Sequence, residues 1–426
     1  MLDRQHWDWD TEEKKIPLSD WKTSYNWVEE PQTSLDGEKI ASIVNIDEGE
    51  FTVCINGESW GPVYDKIWYL RFSPDGRATA LVSEMGEWTV AVDGVPWENR
   101  YGYVWNTRFS SDGKQIAVAV QQDMKYGIAT NDVLWKTTYA NMTDPVLNPD
   151  GNRSAATVQV MNLGAAEIEK FKSGIFSVAI DGVSWEKRFV NVWKPVFDPA
   201  GIHLAAQVRT TLYDYTIAVN GNVWDKSFAT VWEPVFHPTE GSVVAPVRTG
   251  GKWTLAKDGE IIWEGRYLQT WHQKYSADGR KLAAIVSPKY GRWTMAVDDR
   301  PWTSTLGDMV ADWAFSSNGQ TIAAVFKQGA DWSLAVDGQK WQHRFDMVFA
   351  PVISDDGQRV AAKVEKDGNF TLVVDDKIWN RACQAVWDPI FSPDGQKLLT
   401  RSVENDTYYR RVIPVSEITG KSTPFG

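Results

Sequence analysis

Cysteine, histidine and long apolar runs are the scarce features of this 426-residue chain. Its two cysteines, Cys54 and Cys383, are too few for a disulfide framework or a CxxC metal site. The five histidines, His6, His203, His237, His272 and His343, share no spacing that would gather them around a zinc ion. No stretch of 18 apolar residues occurs, which excludes a membrane-spanning helix. Basic stripes are missing as well. The net charge is −12 and Lys and Arg are scattered, whereas a nucleic-acid binder needs clustered cations to displace counterions. The Arg410–Arg411 pair in "TYYRR" reads as a solvated strand face. The opening "MLDRQHWDWDTEEKKIPLSDW" has no apolar core of the signal-peptide kind, so a cytoplasmic location is expected, peripheral to a membrane only through partners.

What is abundant is tryptophan, with 24 residues. Nine of them close a "DGxxW" motif or a near variant: Trp60, Trp97, Trp135, Trp185, Trp224, Trp263, Trp302, Trp341 and Trp379. Their spacings are 37, 38, 50, 39, 39, 39, 39 and 38 residues. A second mark, typified by "SPDG" at 73–76 and 392–395, places a turn glycine at Gly37, Gly76, Gly113, Gly151, Gly201, Gly241, Gly279, Gly319, Gly357 and Gly395. Ten turns and nine closing tryptophans define about ten repeats of ~39 residues, an internal period that points to a stacked repeat architecture.

Each repeat reads as four short strands. "VWxPxFS" alternates with period two and ends in the Pro-Asp-Gly turn, whose residues favour a tight reversal. A small-residue strand such as "HLAAQV" (203–208) follows, then a variable loop and a third strand such as "WTLAKDG" (253–259), and "xxWxxxF" closes the unit. Such a unit cannot bury both faces alone, and radial stacking of units solves this in β-propellers. The repeats resemble those of WD40/TolB-type propellers, which carry "FSPDGxxLA" between their first two strands; "RFSPDGRATA" and "IFSPDGQKLL" match it here. The Trp-Asp dipeptide of WD40 repeats is replaced by "VDG". The expected fold is therefore all-β, a β-propeller of four-stranded blades over residues 27–426. One ring of ten blades is favoured over two of five because the 39-residue spacing runs unbroken through Trp224–Trp302. Residues 1–26 are expected to close the last blade.

Nineteen tryptophans fall in register and so read as repeated packing residues. Four of these open the third strand: Trp88, Trp253, Trp293 and Trp332. A set of six opens the first strand: Trp68, Trp105, Trp193, Trp232, Trp271 and Trp387. By the propeller resemblance this strand is innermost, which makes the six candidates for partner contact at a channel mouth, with complete burial as the observation that would end the idea. The spacing of 50 marks an insertion near 160–173, where "GAAEIEKF" has helix-forming composition and Ile168 and Phe171 share a face as a candidate docking element.

Catalytic and cofactor motifs do not emerge. "GESWG" (57–61) fits the G-x-S-x-G pattern but is the first copy of "DGxxW", and no catalytic, cofactor or metal residue is assigned. The expected function is a non-catalytic scaffold or protein-interaction subunit of a multiprotein complex. A lectin-like ligand-binding propeller and a propeller hydrolase or lyase are the alternatives. The tryptophan content and size also resemble the tryptophan-rich cytoplasmic subunit of the transmembrane cytochrome c redox complex of sulfate-reducing bacteria. That resemblance implies an iron–sulfur subunit, a membrane cytochrome b subunit and a periplasmic multihaem cytochrome c as partners.

Overall fold

The computed structural model describes residues 4–164 and 167–420. Over these the chain forms ten antiparallel sheets of four strand positions each, nine from strands consecutive in sequence and the last completed by residues 13–17. The fold is a β-propeller of ten blades. In chain order the blades span residues 27–59, 66–96, 103–134, 142–184, 191–223, 230–261, 269–301, 309–340, 347–378 and 385–414. Three short helices accompany them: α1 (Ser19–Ser24), α2 (Ile168–Lys172) and α3 (Val415–Thr419). The blades fall into two compact units, one built on Asp47–Thr52 and Trp60–Gln273, the other on residues 4–46, Val53–Ser59 and residues 274–420. No helix among the described residues is long and apolar enough to cross a membrane.

The repeated letters have repeated physical jobs. The first turn residue of each third-strand hairpin, Asp or Asn, adopts a left-handed conformation, with φ between 43° and 52° in Asn56, Asp93, Asn131, Asp181, Asn220, Asp258, Asp298, Asp337 and Asp375; glycine follows it in six of the nine and aspartate (Asp132, Asp299, Asp376) in the other three. Short polar side chains tolerate this region best. In all nine the side-chain Oδ1 accepts the N–H that starts the second strand, as Asp258 does from Val243 at 2.8 Å and Asp93 from Ala78 at 2.9 Å. Where glycine follows, positive φ and crowding both favour it. At Gly259 (φ +91°) an added Cβ would lie 3.3 Å from Cβ of Trp224, the closing tryptophan of the preceding blade. The third-strand Thr or Ser is buried and donates to the loop after the tryptophan, as Thr254 does to the Trp263 carbonyl at 2.7 Å.

The core lies between neighbouring blades. One cluster joins Ala155 and Val178 of blade 4 to Phe189, Leu204, Ala206 and Val208 at blade 5; another joins Ala205 and Ile217 of blade 5 to Val231, Val243 and Val247 of blade 6. None of the nine closing tryptophans is exposed, and Trp135, Trp224, Trp263 and Trp379 are buried. Burying an indole removes roughly 150–250 Å² from water, so the series accounts for much of the cohesion between blades.

The joint between the last and first blades is built differently. The strand Glu13–Pro17 pairs antiparallel with Thr407–Pro414 and supplies the outer strand of blade 10. Here the expectation of a solvated "TYYRR" face is overturned. Arg410 and Arg411 are 1% and 4% exposed because this third strand is covered by the N-terminal strand instead of by a hairpin of its own. Arg410 donates to the carbonyls of Asp36 (3.0 Å), Thr11 (3.4 Å) and Asp8, and pairs with Glu38 at 2.9 Å. Arg411 bridges Glu13 (2.6 Å) and Glu404 (2.5 Å).

Candidate functional site

The first strand of each blade sets the position of the six candidate tryptophans. Register shifts fall between Trp68 and Arg71, Trp105 and Arg108, Thr143 and Val146, and Trp193 and Val196. The residue after each of these positions (Tyr69, Asn106, Asp144, Lys194) has φ between 49° and 60°, the mark of a bulge that re-aims side chains. In blades 1, 6, 9 and 10 the same strand is broken into two pairing segments. The bulge leaves the preceding indole on the side of the strand rather than inside the sheet core.

None of the six is buried. Trp68, Trp232 and Trp271 are 49%, 39% and 44% exposed, while Trp105, Trp193 and Trp387 are half-buried. Within the first unit, rings touch in series: Trp88 to Trp68 (5.0 Å), Trp68 to Tyr103 (6.3 Å), Tyr103 to Trp105 (5.9 Å) and Trp105 to Tyr126 (6.0 Å). Trp193 stacks on Tyr215, and Trp232 lies nearly parallel to Trp253 at 5.6 Å. These contacts fix the rings while leaving faces open to solvent, the arrangement that makes aromatic residues effective anchors.

The turns between second and third strands add to the same unit. Met85, Met124 and Tyr213 are exposed there in blades 2, 3 and 5, and blade 4 carries the insertion. α2 forms over Ile168–Lys172 within it, held by Lys170–Glu167 (3.2 Å) and Lys172–Glu169 (2.7 Å) pairs. Ile168 is exposed and Phe171 half-buried; Ala165 and Ala166 of the expected "GAAEIEKF" helix lie outside the described residues. Four consecutive blades thus present large apolar side chains at one class of turn.

Ser59, His237 and the two cysteines are tied into structure. Ser59 of the G-x-S-x-G match lies on a two-residue strand, with its hydroxyl hydrogen-bonded to Tyr25 at 2.5 Å. His237 replaces the turn serine and its Nδ1 accepts the Thr239 and Glu240 N–H groups. Cys54 and Cys383 are buried, and burial pushes the Cys383 thiol up to about 12, with the Glu404 charge adding to the effect. No group of three metal-ligating side chains occurs among the described residues.

One cavity breaks the repeat. In the second unit, α1, the start of blade 1 and the side of blade 10 enclose about 290 Å³, walled by Leu18, Trp21, Val28, Pro31, Ala385 and Val403, with Glu29, Glu30 and Ser42 also on its lining. Glu29 stands at the repeat position that Trp193 and Trp232 hold in their blades. Burial pushes its carboxyl up, and the neighbouring Glu30 charge acts in the same direction. Sequence reasoning missed this site because Glu29 is visible as an exception only once the first repeat is aligned from its turn at Gly37 backwards.

No family model matches the chain, and no curated protein sequence matches it. Solved structures do. One described as the eukaryotic initiation factor is 12% identical, covering 77% of this chain and 90% of that one with a TM-score of 0.49. TolB from Acinetobacter baumannii is 14% identical, covering 72% and 78% with a TM-score of 0.31.

Proposed function

We propose that the protein is a non-catalytic interaction scaffold whose docking surface is the aromatic side of blades 2–6. The supporting observation is that Trp68, Tyr103 and Trp232 are held by ring contacts yet remain 49%, 38% and 39% exposed, beside the apolar turns at Met85, Met124 and Tyr213. Rigid, half-exposed aromatics lose little entropy on binding and gain burial. A partner protein is the occupant that matches rings and apolar turns spread over several blades. A glycan platform would be concentrated at one stacked pair.

Assignment to the cytoplasmic side of a membrane-bound respiratory complex, with iron–sulfur, cytochrome b and multihaem cytochrome c partners, belongs to this proposal on the sequence resemblance alone. The test is affinity purification of the natural chain beside a Trp68→Ser/Tyr103→Ser/Trp232→Ser variant with an unchanged melting curve. Stoichiometric subunits held by the natural chain and lost from the variant are expected. Equal recovery of partners by both forms, or a natural chain isolated alone, overturns the reading. Saturable binding of a glycan at the Trp232–Trp253 stack would favour the lectin alternative.

A further inference from the structure

At the seam of blades 10 and 1, polar residues that depart from the repeat line one cavity together. Ser42 occupies a second-strand position held by Ala80, Val118, Ala156, Ala206, Ala245, Ala284, Ala324 and Ala362 in eight other blades. It is 1% exposed and its hydroxyl has no hydrogen-bond partner, a cost of about 1–3 kcal/mol for a buried polar group left unmade. Glu29 occupies the tryptophan position of the first strand, and Glu30 follows it where that strand is broken into two pairing segments. Among the described residues neither carboxylate has a hydrogen-bond or ion-pair partner within contact distance.

The surrounding charges do not neutralise the pair. Lys22, on the cavity lining, is bound to Asp406 at 2.7 Å. Lys363, a cation that feels the Glu30 charge, sits over the Phe349 and Phe370 rings at 4.4 and 4.5 Å and is attracted by Asp388 and Glu365 as well. Counting Lys22 with Asp406 and Lys363 with Asp388, two carboxylates are left at the rim of a pocket whose wall is mainly aliphatic and aromatic. The lining thus combines two carboxylates, the unpartnered Ser42 hydroxyl and a mainly apolar wall.

We infer that this cavity binds a primary ammonium group carried on an apolar stem, with Glu29 and Glu30 meeting the charge and Leu18, Trp21, Val28 and Val403 covering the stem. The volume, about 290 Å³, is at the small end for ligand sites, which suits a short amine or a single lysine side chain and not a drug-sized molecule. This site is separate from the aromatic side of blades 2–6, so either proposal can fail without the other.

The test is calorimetric titration of the full chain with n-hexylammonium chloride, with 1-hexanol as the neutral counterpart and a short uncharged-end-capped peptide holding one lysine as the second source of the same group. Saturable binding of hexylammonium, at least tenfold tighter than hexanol, is expected. Glu29→Gln/Glu30→Gln should remove that preference, and Ala385→Phe should block both ligands by filling the cavity. Because the phenylalanine variant risks misfolding, the double glutamine variant at the solvent-facing rim is the deciding one, with its melting curve as control. Binding by the peptide in addition assigns the site to a partner's lysine; binding by the free amine alone assigns it to a metabolite. Hexanol binding equal to hexylammonium, unchanged affinity in the glutamine variant, or no saturable heat from any ligand each overturns the inference.

Discussion

Arg410→Met should loosen the N-terminal strand from blade 10 without disturbing the repeats elsewhere. The side chain is 1% exposed and makes contacts to three carbonyls and to Glu38. Hydrogen bonds from a charged donor contribute about 1.5–3 kcal/mol each, but Thr11 and Asp8 can rehydrate once the strand lifts. Glu38 keeps its other partner, Lys14, at 2.7 Å, which limits the penalty of an orphaned carboxylate. Methionine retains most of the buried stem, so packing loss is small. A net cost of about 3 kcal/mol remains, equivalent to roughly 150-fold in the opening equilibrium. Native-state hydrogen exchange reads this directly on the amides that join Glu13–Pro17 to Thr407–Pro414. A control at the exposed Lys226–Glu260 pair, Lys226→Met, should leave exchange unchanged. Less than fivefold acceleration at the N-terminal strand, or equal acceleration in every blade, would refute the clamp.

Gly259→Ala should lower the melting temperature more than Gly241→Ala. Both have positive φ, but only the first would place a Cβ 3.3 Å from an indole-bearing carbon, while the second faces open space. Trp313→Ala, removing a ring that is 1% exposed and packed on Phe315 at 5.2 Å, should cost about 3–5 kcal/mol in denaturant unfolding. Trp68→Ala, at 49% exposure, should cost about 1 kcal/mol; equal losses would contradict the division into packing and presenting tryptophans. Burial pushes Glu404 up, but hydrogen bonds from Arg411 and Ser402 outweigh it and hold its carboxyl below the usual range. A lowered folded pKa stabilises above the unfolded value near ~4.3, and the benefit is lost as pH falls through the folded value. The melting difference between natural chain and Glu404→Gln should therefore be full at neutral pH and shrink below about pH 4.

The blades were legible because every seam imposes the same constraint. A left-handed residue that caps a strand start, a glycine beside an indole and a hydroxyl under a loop carbonyl recur in most of the blades, so spacing alone exposed them. The closing joint occurs once. Arg410 and Arg411 look like surface cations in sequence, and only the strand Glu13–Pro17, nearly 400 residues away, makes their burial intelligible. The cavity was hidden for a related reason: a glutamate in a tryptophan register is a signal only against an alignment of all ten first strands, and the first of these is the most degenerate. Exposure of the six tryptophans goes with a bulge or a break in the first strand after them, which sequence spacing does not encode.

The nine capping positions also set how this protein ages. Asn56–Gly57 and Asn220–Gly221 are Asn-Gly pairs, in which the glycine nitrogen can attack the asparagine amide, expel ammonia and form a succinimide. Hydrolysis to aspartate would leave the Oδ1 acceptor in place for Ile40 or Leu204, reproducing the arrangement that Asp93 and Asp258 already have. Hydrolysis to isoaspartate would insert a methylene into the main chain and break the cap. Peptide mapping of stored protein should then find aspartate retained in folded material and isoaspartate concentrated in the unfolded fraction. Six of the nine hairpins already carry aspartate in this position; they have no ammonia to lose, and at the four Asp-Gly pairs only isomerisation through the same succinimide remains.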